Sequence, residues 1–283
     1  MNGDKPAAQP APLLIVAGLT VTTADGTAVV RDVSFRIGAG ERFGLIGESG
    51  SGKSVTSLAI TGLTAPGLTA SGSILLAGTQ TIGATEAALR PLRGPAASIV
   101  FQEPLTALDP LMRVGKQVAE PIRRHRGLRG DALETAGREA LAEVSLTEPR
   151  IARAYPHELS GGQRQRIAIA IALAAEPRLL IADEPTTALD VTVQREVLGL
   201  LDRLARDRGM ALLFISHDLA VVSQIVDRIT VMQHGRAVET GPTERVLWAP
   251  EHEYTQRLVA SARALDAALD VRADTEIPTE ERR

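Results

Sequence analysis

The chain begins with polar, Ala- and Pro-rich residues and turns apolar at position 13. Residues 13–22 read as a β-strand, with Leu19 and Val21 separated by Thr20 and Thr22. A second strand is expected over 33–37, a turn at Gly38–Gly40, and a short buried strand over 43–46. That strand runs straight into the glycine-rich segment 47–54, followed by an apolar helix over about 53–63. Residues 73–76 and 98–101 read as further strands. From 103 the texture becomes helical and charged, with Gly127, Gly130 and Pro149 as breaks. A helix is then expected over 161–174, an apolar strand over 179–182, a helix over 191–208 and a strand over 211–215. Strands alternating with helices imply a mostly parallel α/β sheet. The expected organisation is a flexible tail over 1–12, one domain over 13–262 with a helical insertion at about 103–160, and an acidic tail over 263–283.

Composition narrows the picture. Aromatics are 2% of 283 residues, so the core must be built from Leu, Ile, Val and Ala. There is no cysteine, which excludes disulfides, iron–sulfur clusters and thiolate zinc sites. A net charge of −3 lacks the basic footprint of a dedicated nucleic-acid binder. The start of the chain has no basic, then apolar secretory pattern. No apolar run approaches the roughly 20 residues a membrane span needs. The chain is therefore expected to be soluble, with any membrane role supplied through partners. Arg123, Arg124, His125 and Arg126 read as a solvated helix face.

Two segments carry chemistry. Gly47-Glu48-Ser49-Gly50-Ser51-Gly52-Lys53-Ser54 fits G-x-x-x-x-G-K-[ST]. Small residues let successive amides turn inward around phosphate oxygens, and a helix starting there adds its positive end. Lys53 is expected to reach the β- and γ-phosphates and the Ser54 hydroxyl to bind Mg²⁺, a hard cation suited to oxygen. By chance the pattern arises in a chain this long on the order of 1% of the time. The second segment is the apolar run 179–182 ending in Asp183 and Glu184. A strand delivers such carboxylates to the edge where open α/β sheets bind ligands. Adjacent side chains point apart, so Asp183 can serve Mg²⁺ through water while Glu184 orients or deprotonates an attacking water.

Leu159-Ser160-Gly161-Gly162-Gln163, ahead of an apolar helix and about 20 residues before the acidic strand, resembles the signature motif of the ABC ATPase family. Read without that likeness, Ser160 caps a helix whose N-terminus the two glycines leave bare to an anion. Phe101-Gln102-Glu103-Pro104 resembles the family's Q-loop, Ala188-Leu189-Asp190 its D-loop, and Ile215-Ser216-His217-Asp218 its switch region. The resemblance spans about residues 13–262. It implies a P-loop NTPase core with an antiparallel β subdomain and an inserted helical subdomain. It also implies catalytic roles for Glu184, His217 and Gln102, with Gln102 contacting Mg²⁺ or water. Two such domains would sandwich ATP head to tail, so Ser160, Gly161, Gly162 and Gln163 would serve the partner's ATP, and Asp190 would lie at the dimer interface. One departure concerns adenine, which the family usually stacks on an aromatic from its first strands. Residues 19–33 contain none, so weak base discrimination is expected.

The segments 101–110, 67–72, 182–190 and 250–258 resemble the peptide/nickel uptake branch. That likeness implies two membrane-spanning permease subunits, a second, different ATPase subunit and an extracytoplasmic substrate-binding protein, with this subunit on the cytoplasmic face of the membrane and no nucleic acid bound. Many members of the branch add a cysteine-containing extension; this sequence has no cysteine, so the shorter form is expected. The alternatives are a non-transport ABC ATPase acting on nucleic acid or ribosomes, and a P-loop kinase. A kinase would leave residues 159–163 and His217 unexplained.

Overall fold

The computed structural model describes residues 11–103, 107–187 and 189–263. The two expected tails lie almost wholly outside these, as does part of the Q-loop and D-loop segments.

Strand β1, Leu14–Thr23, buries Leu14, Val16, Leu19 and Val21. It pairs antiparallel with β2, Ala28–Ile37, and with β4, Leu68–Leu76; β5, Thr79–Gln80, completes a four-stranded sheet ordered β2-β1-β4-β5. β2 starts five residues earlier than its alternation suggested. Asp32 sits at φ 53, and the register with β1 shifts there, so buried positions jump from Val30 to Val33. A bulge of this kind breaks the two-residue period on which the sequence reading relied.

The second sheet is ordered β10-β9-β3-β8-β7-β6. β3 (Arg42–Ile46), β6 (Ala97–Val100), β7 (Leu179–Asp183), β8 (Ala211–Ser216) and β9 (Arg228–Gln233) run parallel; β10 (Arg236–Pro242) pairs antiparallel with β9. Every residue of β7 and β8 is buried. Continuous apolar runs are what parallel strands covered on both faces require. β9 and β10 have no counterpart in the sequence reading. Their two-residue hairpin is His234-Gly235, both at positive φ, the conformation that matches strand twist.

Helix α1, Lys53–Ile60, follows β3 directly, and α2, Glu86–Leu89, precedes β6. Between β6 and the helix of the signature segment lie α3 (Val114–Arg126), α4 (Gly130–Glu143) and α5 (Pro149–Arg153). α3 buries Val114, Val118 and Ile122, and α4 buries Ala136, Ala140 and Leu141, each a stripe at helical spacing. Gly127 ends α3 in the left-handed conformation and Pro149 opens α5, where its missing N–H costs nothing. Then come α6 (Gly161–Leu173), α7 (Val191–Asp207), α8 (Leu219–Ser223) and α9 (Thr243–Trp248), with a last helix from residue 253. No described helix is long and apolar enough to cross a membrane. Two of the scarce aromatics join the sheets: Phe35 of the first sheet stacks on Phe43 of the second at 5.2 Å.

Candidate active site

β3 delivers its chain into the turn 47–52, and α1 begins at Lys53. Gly52 caps α1 at φ 97, and no side chain covers its first amides, so the helix start is open to an anion. A Cβ on Gly47 would stand 2.2 Å from the Met232 carbonyl oxygen of β9, so only glycine fits where the cradle presses on the neighbouring strand. Lys53 is almost fully buried. Its ammonium donates to the Gly47 carbonyl at 2.7 Å and the Glu48 carbonyl at 2.9 Å, spanning the cradle it is part of. Burial pulls its pKa down, opposed by the carboxylates of Glu184, Asp183 and Glu48. The Ser51 hydroxyl is buried and has no hydrogen-bond partner. A phosphate oxygen in the cradle would satisfy it.

The two acids at the end of β7 diverge, as their adjacency implied. Asp183 turns to α1: its carboxylate accepts from Ser54 Oγ at 3.1 Å and Ser57 Oγ at 3.3 Å. Burial pushes its pKa up, and those two hydroxyls hold it down. Glu184 adopts a left-handed φ of 46, fixed by its amide donating to the Ile215 carbonyl at 2.9 Å. Such a backbone is unfavourable by roughly 1–2 kcal/mol for a residue with a Cβ, and strain of this kind gathers at functional sites. Its carboxylate receives Gln102 Nε2 at 3.2 Å and Thr187 Oγ1 at 3.1 Å, lies 3.2 Å from His217 Nδ1, and stands 3.9 Å from Lys53 Nζ. The parallel order of the sheet causes this meeting. Gln102 follows β6, Glu184 follows β7, His217 follows β8 and the cradle follows β3, so all four leave the same edge. Glu48, Ser49, Gly50, Gly52, Lys53 and Ser54 share one open cleft of about 660 Å³ with Gln102, Glu184 and His217.

The signature residues do not join this cleft. Ser160 caps α6, accepting from the Gln163 amide at 3.2 Å, while Gln163 Oε1 accepts the Ser160 amide at 3.0 Å. A Cβ on Gly162 would meet Val193 of α7 at 2.7 Å, and Asp190 caps that helix through the Val193 amide at 2.9 Å. One chain therefore gathers the cradle and its carboxylates but leaves residues 160–163 and Asp190 outside the cleft. Four further residues join the site without having been assigned a role from sequence: Ser57 on Asp183, Thr187 on Glu184, Val29 lining the cleft, and Tyr254, whose hydroxyl accepts the Glu48 amide at 3.0 Å. Ser57 lies one helical turn beyond Ser54 and was within reach of sequence reasoning. Thr187 is three residues beyond Glu184 and Tyr254 lies in the segment 250–258, but nothing local ties Val29 or Tyr254 to the cleft. The remaining histidines pack or face solvent: His157 stacks on Tyr155 at 5.8 Å, and His252 Nδ1 accepts the Tyr254 amide.

A phosphate cradle at a strand–helix junction, facing a strand-end carboxylate already ringed by polar groups, defines a P-loop nucleotide hydrolase. A family model described as ABC transporter matches residues 30–187, which include the cradle, Gln102, residues 159–163 and both acids. The chain belongs to the ABC transporter family, as an ATP-binding and ATP-hydrolysing subunit. A peptidoglycan transport ATP-binding protein, YejF, of Agrobacterium fabrum is 47% identical over 256 residues, 88% of this chain; the chain spans 47% of that protein's length. A Brucella melitensis protein named for peptide import is 46% identical over 273 residues, covering 92% of this chain and 80% of its own length. Among solved structures, the dimeric ATP-binding cassette MJ0796, in a post-hydrolysis state with ADP and Pi, matches with a TM-score of 0.72 at 29% identity, covering 81% of this chain and 98% of that one. CbiO1 of Clostridium perfringens, part of the ABC transporter complex cbiONQ, matches with a TM-score of 0.74 at 28% identity, covering 90% and 99%. None of these relatives supports the non-transport alternative.

Proposed function

We propose that this subunit drives uptake of peptides or a similar solute through two membrane-spanning permease subunits, from the cytoplasmic face of the membrane. It pairs with a second, different ATPase subunit, and an extracytoplasmic protein presents the solute. Likeness over most of the length of relatives named for peptide import supports this reading.

The donor set at the end of β7 fits Mg²⁺: a hydroxyl, Ser54, and a carboxylate, Asp183, lie 3.1 Å apart beside the cradle, with the Gln102 amide in the same cleft. Ser54, Asp183 and Gln102 would hold the ion, which when bound neutralises charge on the phosphates. Lys53 and the amides of the cradle other than that of Glu48, which donates to Tyr254 Oη, hold the β- and γ-phosphates. Glu184 orients a water and takes its proton as the water oxygen attacks the γ-phosphorus and the bond to the ADP oxygen breaks. Gln102, Thr187 and His217 hold the Glu184 carboxylate on target. Ser160, Gly161, Gly162 and Gln163 close over the partner's ATP, and Asp190 lines the shared interface.

The observation that carries the reading is the convergence on Glu184. Replacing it with Gln keeps shape and hydrogen bonds but removes the base. ATP binding should persist, hydrolysis should fall about 10²–10⁴-fold, and a closed dimer should accumulate. Unchanged hydrolysis would remove Glu184 from catalysis.

A further inference from the structure

We propose that Tyr254, on the helix following the ATPase core, is a positioning residue for the phosphate cradle: its hydroxyl holds the Glu48 peptide in the conformation that receives nucleotide. Tyr254 Oη accepts from the Glu48 amide at 3.0 Å, a contact spanning 206 residues of sequence. Tyr254 is 2% exposed and packed in the same apolar cluster as Ile229 and Val231 of β9. Lys53 Nζ already pins the carbonyls of Gly47 and Glu48. With the phenol on the amide, the second residue of the cradle is held from both sides. A loop held in this way needs less ordering when phosphate arrives.

The reach of the phenol is set from outside the cradle. The Glu239 carboxylate of β10 accepts the amides of Glu251 and His252, both at 3.0 Å, and His252 Nδ1 accepts the Tyr254 amide at 3.1 Å. β10 pairs with β9, the strand whose Met232 carbonyl backs Gly47. Docking of the last helix and affinity for nucleotide thus share one free energy, and the coupling must run both ways. Nucleotide tightens the helix, and any contact that lifts the helix weakens nucleotide binding.

The test is Tyr254→Phe in the full chain, which deletes one oxygen and keeps the ring. The Kd for a trinitrophenyl ATP analogue should rise about five- to tenfold, with kcat within twofold and the melting temperature little changed. Hydrogen exchange at the 47–48 amides should quicken, and saturating nucleotide should slow exchange over 253–263 in the wild type. An unchanged Kd, or lost kcat at unchanged Kd, overturns the proposal. Should Tyr254→Phe fail to fold, Glu239→Gln carries the test by loosening the start of the helix. A raised Kd with faster exchange at both 253–263 and 47–48 supports the coupling; faster exchange confined to 253–263 at unchanged Kd refutes it.

Discussion

Substituting Gly47 with Ala should disable the cradle through sterics alone, without removing any polar group. The added Cβ would stand 2.2 Å from the Met232 carbonyl oxygen, 2.7 Å from Ser51 Oγ and 3.1 Å from the Met232 carbonyl carbon. Ordinary contact begins near 3.4 Å, so the gap must open by about 1.2 Å. The Met232 oxygen cannot yield cheaply, because β9 is tied to β3 on one side and to β10 on the other. The cradle must move instead. A shift of about 1 Å takes the Gly47 carbonyl away from Lys53 Nζ, now 2.7 Å distant. Overpacking of this kind costs about 1–3 kcal/mol, and misplacing reacting groups by about 1 Å costs on the order of 100-fold in rate. The expected outcome is a melting temperature lower by roughly 2–10 °C and a kcat/KM for ATP about 100-fold lower. Gly50→Ala is the control. Its Cβ would meet nothing within 4 Å, and only its φ of 78 opposes the change. It should cost about 1–2 kcal/mol, with a far smaller loss of activity. If Gly47→Ala binds and hydrolyses ATP like the wild type, the close approach of cradle and β9 is wrong.

Two further outcomes follow from the cleft and from its anchor. Val29, not an aromatic, lines the cleft beside the cradle. Among the described residues lining the cleft there is no aromatic ring to stack on the base, a contact that contributes roughly 1–3 kcal/mol per base elsewhere, so ATP and GTP should be hydrolysed at comparable kcat/KM; strict ATP selectivity would count against this. Glu239 offers a pH test. Burial pushes its carboxyl up, but the amides of Glu251 and His252 outweigh that and hold its pKa below the ordinary range. The stabilisation it supplies is therefore present above the ordinary glutamate pKa and lost as pH falls through the lowered folded value. Exchange protection of residues 253–263 in the wild type should exceed that in Glu239→Gln near neutral pH and converge with it in acid; a gap that widens on acidification would refute the assignment.

What was legible in the amino-acid sequence was whatever a contiguous run of residues dictates. Gly47–Ser54 specifies its own turn, because the glycines, the lysine and the helix start are neighbours in the chain. The buried runs ending at Asp183 and Ser216 announce parallel strands, since strands covered on both faces need no alternation. The cap at Ser160 is likewise local. Only the tertiary structure decided which of these ends meet. The sheet places β8 between β3 and β7, so His217 and Glu184 come within 3.2 Å although 33 residues apart. Strands β9 and β10 are not legible locally, because a mixed run such as Arg228–Gln233 is a strand chiefly through its partner β3. With them were hidden the Met232 carbonyl that makes Gly47 obligatory and the Glu239 anchor that brings Tyr254 to the cradle. The chemistry of this ATPase is written in short motifs. The contacts that hold those motifs in place come from residues up to 206 positions away, and no local pattern carries that information.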